Sequence, residues 1–195
     1  MRRRLGIGFL VLGALLLGYV GTTWASGAIL RDRARAAWEA EQARSAVESV
    51  RASLASVGAP SGPMAAGAPV ARLIIPSLGL DEIVVEGVGD GELNAGPGHL
   101  PGSPLPGSSG NSIISAHRDR HFRSLNDLGV GDVIETETRQ HRVTWVVKDI
   151  QVLAAHAPAL FSTPEPVLTL TTCWPVRFFG PAPDRLLITA VPIDL

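Results

Sequence analysis

From Val70 onwards the chain is divided into short strand-like segments by glycine and proline. The 195 residues include 21 glycines and 15 prolines but one tyrosine, and residues 87–110 are especially dense in glycine, proline and serine. The segments between these breaks are rich in Val, Ile, Leu and Thr, which favour a pleated, half-buried surface. Many short strands with few helices predict a mainly β domain that forms a closed or partly closed barrel.

Seven strands are predicted in this part of the chain. They cover residues 71–75, 82–86, 111–116, 133–137, 141–153, 167–173 and 185–191. Residues 121–128 and 154–166 are connections that we expect to contain a helical turn, and residues 87–110 are expected to form one long loop.

The N-terminal segment predicts a membrane anchor. Three arginines at positions 2–4 precede residues 5–25, which contain no charged residue and are about long enough to span a bilayer. The arginines predict a cytoplasmic N-terminus, with the rest of the chain outside the cytoplasm. The alternative is a signal peptide cleaved near Ala25. The apolar run is long for a signal core and Trp24 suits a membrane interface, so we favour the uncleaved anchor.

Three further regions follow the predicted anchor. Residues 26–57 are predicted to form a helical stalk because they are rich in Ala, Arg and Glu, residues 58–69 form a linker, and residues 70–195 form the folded domain. Apolar residues at 3-4 spacing, from Ala40 to Val57, are compatible with a weak coiled-coil seam. We favour a stalk packed on its own domain, because alanine buries little area.

Charge and cysteine content exclude several classes of function. The formal net charge is −1, so we expect no nucleic-acid partner. The single cysteine excludes an intramolecular disulfide and a thiolate metal cluster.

That cysteine, Cys173, ends a predicted strand just before Pro175, which cannot continue a central strand. A strand end is rigid and the loop after it is open, which suits a reactive thiol. The alternative is a buried structural cysteine, since free cysteines are often merely packed.

A thiol nucleophile needs a basic or cationic partner, and His117 is the best candidate because it also follows an apolar strand. His99, His141 and His156 are predicted to be surface or loop residues. His117 and His121 have i, i+4 spacing, as in some metal sites, but no third ligand is placed to join them. We therefore expect no metal and no other cofactor.

Arg185 opens the last predicted strand, the one that follows Cys173 in the chain. If the two strands are antiparallel neighbours, Arg185 lies beside Cys173 and can donate hydrogen bonds to a developing oxyanion. The alternative is a surface arginine paired with Asp184. Asp119 could orient His117 or could pair with a neighbouring arginine.

These motifs resemble those of the sortases, a family of membrane-anchored cysteine transpeptidases. Thr169 to Cys173 resembles the family's TLxTC signature, and Asn111 to Arg118 resembles the segment that carries the catalytic histidine. Arg185 stands where the family has its active-site arginine. Gly96 to Gly102 and Leu105 to Gly107 are similar to the Pro-Gly-rich stretch upstream of the histidine.

The resemblance extends from about Val70 to Pro192 and is most similar to the sortase class of Gram-negative bacteria. Ser115-Ala116 replaces the Ala-Gly that often precedes the histidine, and no acidic cluster suggests calcium dependence. The resemblance implies a sortase-type barrel of about eight strands with short helices. It also implies a catalytic site of His117, Cys173 and Arg185, with Thr172 and Arg185 holding the substrate and the oxyanion.

The implied activity is cleavage of a C-terminal LPxTG-like sorting signal through a thioacyl enzyme, followed by transfer of the protein to an amine acceptor on the cell envelope. The resemblance implies a single-pass protein of the inner membrane, with its catalytic domain on the periplasmic side. Two alternatives remain at this point. One is a peptide hydrolase that uses the same Cys–His–Arg site, and the other is a non-catalytic barrel that binds peptides.

Overall fold

The computed structural model describes residues 2–52, 64–155 and 163–193. It contains two α-helices, eight strands and two 3-10 turns in these ranges. The helices are α1 (Arg2–Ala52) and α2 (Asp90–Ala95), and the 3-10 turns are Pro76–Leu78 and Leu125–Asp127. The strands are β1 (Pro69–Ile75), β2 (Leu80–Glu86), β3 (Gly98–His99), β4 (Asn111–Ser115), β5 (Val133–Glu137), β6 (Arg142–Ala154), β7 (Val167–Trp174) and β8 (Asp184–Pro192).

The eight strands form a closed barrel in the order β1-β2-β3-β4-β7-β8-β6-β5. Most pairs are antiparallel, but β2 with β3 and β4 with β7 are parallel. Closure leaves no free sheet edge, which removes the aggregation hazard of an open edge. The predicted mainly β barrel of about eight strands is therefore confirmed.

Apolar side chains from around the barrel fill its interior. They include Leu73, Ile75, Val84, Ile114, Ile134, Trp145, Leu168, Leu170, Leu186 and Ile188. The indole N–H of Trp145 donates to the hydroxyl of Thr136 at 2.8 Å, so the largest buried side chain has its polar atom satisfied. Alternate residues of each strand face this core, and the residues between them face the outside of the barrel.

Helix α1 packs against the outside of β2. Ala34 and Trp38 are 8% and 5% exposed and form one apolar cluster with Ile83 and Val85. The guanidinium of Arg35 also donates to the backbone carbonyl of Asp81 at 2.9 Å. This part of α1 therefore packs on the barrel through Ala34 and Trp38, neither of which belongs to the 3-4 pattern from Ala40 to Val57.

The predicted anchor, residues 5–25, lies in the N-terminal half of α1. Among the residues that the structure describes, no helix combines the length and the hydropathy that crossing a bilayer requires.

Two short elements lie where the sequence predicted a continuous loop. Helix α2 and strand β3 occupy part of residues 87–110, and β3 closes the barrel between β2 and β4. Strands are predicted from alternating apolar and polar residues over at least four positions. Because β3 has only two residues, it leaves no such pattern in the sequence. The predicted helical turn in the connection before β7 lies mostly outside the described residues.

Candidate active site

Strand register places the three predicted catalytic residues in one row. Cys173 on β7 pairs directly with Arg185 on β8. On the other side of β7, the parallel strand β4 pairs Ser115 with Thr171. His117 lies two residues beyond Ser115, just past the end of β4, and Cys173 lies two residues beyond Thr171 on β7. The order β4-β7-β8 therefore gives a row His117–Cys173–Arg185 at one end of the barrel.

None of the three residues is buried in the barrel core. Their chain neighbours Ala116, Thr172 and Leu186 are 5%, 3% and 2% exposed, and Ala116 and Leu186 belong to the barrel core. Because successive side chains of a strand alternate between faces, Cys173 and Arg185 are directed away from that core. Each of the three is partly exposed, so a substrate can approach the row.

Thr172 holds the end of β4 against β7. Its hydroxyl donates to the backbone carbonyl of Ala116 at 2.7 Å, and the N–H of Ala116 donates to the carbonyl of Thr171 at 3.2 Å. These bonds fix the residue before His117, so Thr172 is a positioning residue in this geometry. The side chain of Thr172 is buried and already hydrogen-bonded, and its predicted role in holding the substrate stays a prediction.

Backbone carbonyls hold the guanidinium of Arg185. Its Nη1 atom donates to the carbonyls of Asp184 at 3.0 Å and Ala182 at 3.4 Å. Both bonds use the same nitrogen, so the N–H groups of Nε and Nη2 remain as donors. The alternative of an ion pair with the Asp184 carboxylate is not seen, since only the backbone oxygen of Asp184 is contacted.

Arg118 is a further residue that supports the site and was not singled out from the sequence. Its guanidinium donates to the carbonyl of Pro175 at 2.6 Å and to the carbonyl of Gly180. It thereby ties the loop after His117 to the loop between β7 and β8. Asp119 is exposed and makes no hydrogen bond to His117 in the described part of the chain, so an orienting role for Asp119 is not supported.

The prediction that His99 is a surface or loop residue is wrong. His99 lies in β3, is 1% exposed, and its Nδ1 is 2.6 Å from Oε2 of the buried Glu86. Its Nε2 is 2.9 Å from Oγ of Ser103 and 3.1 Å from the carbonyl oxygen of Pro104. His99 is thus the centre of a buried polar cluster away from the Cys173 row.

The two other histidines that the structure describes, His121 and His141, do not join the row. His121 has a nearly buried ring whose Nδ1 is 3.3 Å from Oε1 of Glu82. His141 is exposed beside the β5–β6 turn, and His156 lies outside the described residues.

A sequence model of the sortase domain matches residues 73–193. The chain belongs to the sortase family. The match covers β2 to β8 and the last three residues of β1, and therefore includes His117, Cys173 and Arg185. The family resemblance read from the motifs is confirmed.

Known sortases are similar in sequence and in fold. Sortase D of Bacillus subtilis (strain 168) is 29% identical over 118 residues, which is 60% of this chain and 60% of that protein. The match therefore spans less than two thirds of that relative. Sortase C-1 from Actinomyces oris is 31% identical, with a TM-score of 0.58 over 65% of this chain and 75% of that one.

A Clostridium perfringens sortase D5 transpeptidase has the same fold with a TM-score of 0.64. That likeness covers 87% of this chain and 99% of the other at 20% identity, so it bears on the fold alone. Its wider coverage includes part of the sequence before the barrel.

Proposed function

We propose that this sortase is a cysteine transpeptidase with Cys173 as nucleophile, His117 as general acid and base, and Arg185 as oxyanion donor. The observation that supports the proposal is the pairing of Cys173 with Arg185 on β7 and β8, with His117 just beyond the end of the neighbouring strand β4. A thiol, an imidazole and a guanidinium are the groups that acyl transfer through a thioester requires.

In the first half of the reaction, the Cys173 thiolate attacks the carbonyl carbon of a Thr–Gly-type bond in an LPxTG-like signal. Negative charge develops on the carbonyl oxygen, where the free N–H groups of Arg185 stabilise it. The C–N bond then breaks, and His117 gives a proton to the departing amine. The product is a thioester between Cys173 and the N-terminal part of the substrate.

In the second half, an amine on the cell envelope attacks the thioester carbonyl. His117 accepts the proton of the attacking amine, the C–S bond breaks, and the thiolate of Cys173 is regenerated. Because all three residues are partly exposed, both the protein substrate and the acceptor can reach them.

Product analysis separates transfer from hydrolysis at this site. With an LPxTG-like peptide and an added amine such as triglycine, we expect the amide product to dominate and its share to rise with amine concentration. Mass spectrometry of the products measures that share. A free carboxylate as the main product at every amine concentration would contradict transfer and favour the hydrolase.

We also propose that residues 5–25 tether the enzyme to the inner membrane, with the barrel on the periplasmic side. The uncharged run after three arginines supports this placement. A phosphatase fused to the C-terminus of the full chain is expected to be active, because that reporter works outside the cytoplasm. The fusion should also sediment with membranes. An inactive reporter, or a mature protein released as soluble, would contradict the tether.

A further inference from the structure

A polar cavity of about 580 Å³ lies between α1 and the barrel, beside the loop that follows His117. Its lining comes from α1, the β1–β2 connection, the start of β2, α2 and the segment after β4, and it includes neither Cys173 nor Arg185. It is therefore separate from the site proposed for acyl transfer.

Four arginines line this cavity from two directions. Arg31 and Arg35 come from α1, where their i, i+4 spacing puts them on one face of the helix. Arg120 and Arg123 come from the loop after His117. Arginines from separate elements that converge on one cavity can surround a single ligand.

Three carboxylates in the lining offset part of the positive charge of the four arginines. Asp81 is already bonded to Arg72, outside the lining, at 2.6 and 2.8 Å. That hydrogen bond holds the pKa of Asp81 below its ordinary value. Glu82 is engaged with His121, and Asp119 is exposed at the rim.

Several donors in the cavity have no charged partner. Within the described residues, Arg31 and Arg123 make no hydrogen bond or ion pair, whereas Arg35 donates to the backbone carbonyl of Asp81 and also interacts electrostatically with the Asp81 carboxylate. The ring of His121 also lines the cavity, with its side chain 5% exposed and its Nε2 buried without a hydrogen-bond partner. A buried polar atom without a hydrogen-bond partner lowers the stability of the fold unless a ligand or a water molecule bonds to it.

We propose that this cavity binds a phosphate group. The planar guanidinium matches phosphate oxygens through two parallel N–H bonds, and a doubly charged anion offsets several arginines at once. The group could belong to free phosphate or to the head group of a lipid. Arg31 lies six residues beyond Ala25, or about 9 Å along the helix, so a lipid head group is within reach if residues 5–25 are membrane-bound.

Calorimetric titration of the full-length chain in detergent tests the site with inorganic phosphate and with glycerol phosphate as a head-group probe. We expect saturable binding that acetate at equal ionic strength does not reproduce. Arg31→Gln and Arg123→Gln should each weaken binding by about tenfold, the value of one charge-assisted hydrogen bond. Because neither side chain has a partner in the described structure, both variants should melt at the wild-type temperature.

Arg33→Gln is the matched control, since Arg33 is exposed on the same helix but lines a different cleft. Its affinity for phosphate should equal that of the wild type. Absence of saturable binding, or an equal loss in Arg33→Gln, would overturn the proposal.

A second experiment identifies where the bound phosphate group comes from. The titration is repeated in phosphatidylcholine vesicles with and without phosphatidic acid. If phosphatidic acid competes with inorganic phosphate for the cavity, the natural ligand is a lipid head group. If it does not compete, the natural ligand is soluble phosphate.

Discussion

Replacement of Cys173 by alanine is expected to abolish both acyl-enzyme formation and turnover. The chain has no other thiol, so no second residue can form the thioester. Loss of the nucleophile in a comparable hydrolase lowers turnover by about six orders of magnitude, so the residual rate should be near background. Incubation with LPxTG-like peptides followed by intact-mass spectrometry measures the acyl enzyme directly, and release with an added amine measures turnover.

The two neighbours of Cys173 in the row should give graded losses in the same assay. His117→Ala should be nearly as damaging as the loss of the thiol, because the departing amine then lacks its proton donor. Arg185→Ala should lower the rate by about a hundred- to a thousand-fold, the usual cost of one oxyanion donor. Arg185→Lys should not restore it, since an ammonium cannot replace the guanidinium fork.

His141→Ala is the matched control for the His117 variant, since His141 is an exposed histidine outside the row. It should keep the wild-type rate. A Cys173→Ala protein that still transfers peptide, or a His141→Ala protein as inactive as His117→Ala, would show that the active site lies elsewhere.

The sequence predicted strands and candidate catalytic residues best where a reactive side chain follows a clear strand pattern. Val133–Glu137 was predicted at its observed bounds, and β7 and β8 were predicted within one residue, because Val, Ile and Thr alternate between clear breaks. Cys173 and His117 stood out because each follows such a strand. Which strands become neighbours depends on contacts between distant parts of the chain, so the pairing of Cys173 with Arg185 could only be stated as a condition.

The buried histidine cluster was missed for a related reason. His99 stands among glycines and prolines, which are typical of exposed turns. Its burial depends on Glu86, at the end of the previous long strand, and on the pairing of β3 with both β2 and β4. A glutamate and a histidine thirteen residues apart give no local signal for such a contact.

His99→Ala is expected to be the most destabilising single histidine change in the chain. The substitution leaves the Glu86 carboxyl, 7% exposed, without its partner. Leaving a buried polar group without its hydrogen-bond partner typically costs about 1–3 kcal/mol, and more for a charged group, which is a large share of the total stability of a domain. The change also removes the contacts to Ser103 and Pro104 that hold the following loop.

The hydrogen bonds of the cluster show what the imidazole ring of His99 contributes that a smaller side chain lacks. The Ser103 hydroxyl donates to the carbonyl of Leu100 at 2.8 Å, so it faces His99 as an acceptor, as does the Pro104 carbonyl. Nε2 of His99 must therefore carry a proton. Nδ1 then shares a further proton with Glu86. The ring thus bridges β2 to the loop after β3 through both nitrogens.

Urea unfolding followed by tryptophan fluorescence measures the loss, with His141→Ala as the exposed control that should leave the midpoint unchanged. In the double variant His99→Ala/Glu86→Leu no carboxyl remains buried without a partner, so this variant should recover part of the stability lost in His99→Ala.

The activity of His99→Ala separates a structural role from a catalytic one. In the folded fraction of His99→Ala, acyl-enzyme formation should persist, because His99 is outside the Cys173 row. A wild-type midpoint for His99→Ala would show that the cluster contributes little, and a fully folded but inactive His99→Ala would give this histidine a role in catalysis instead.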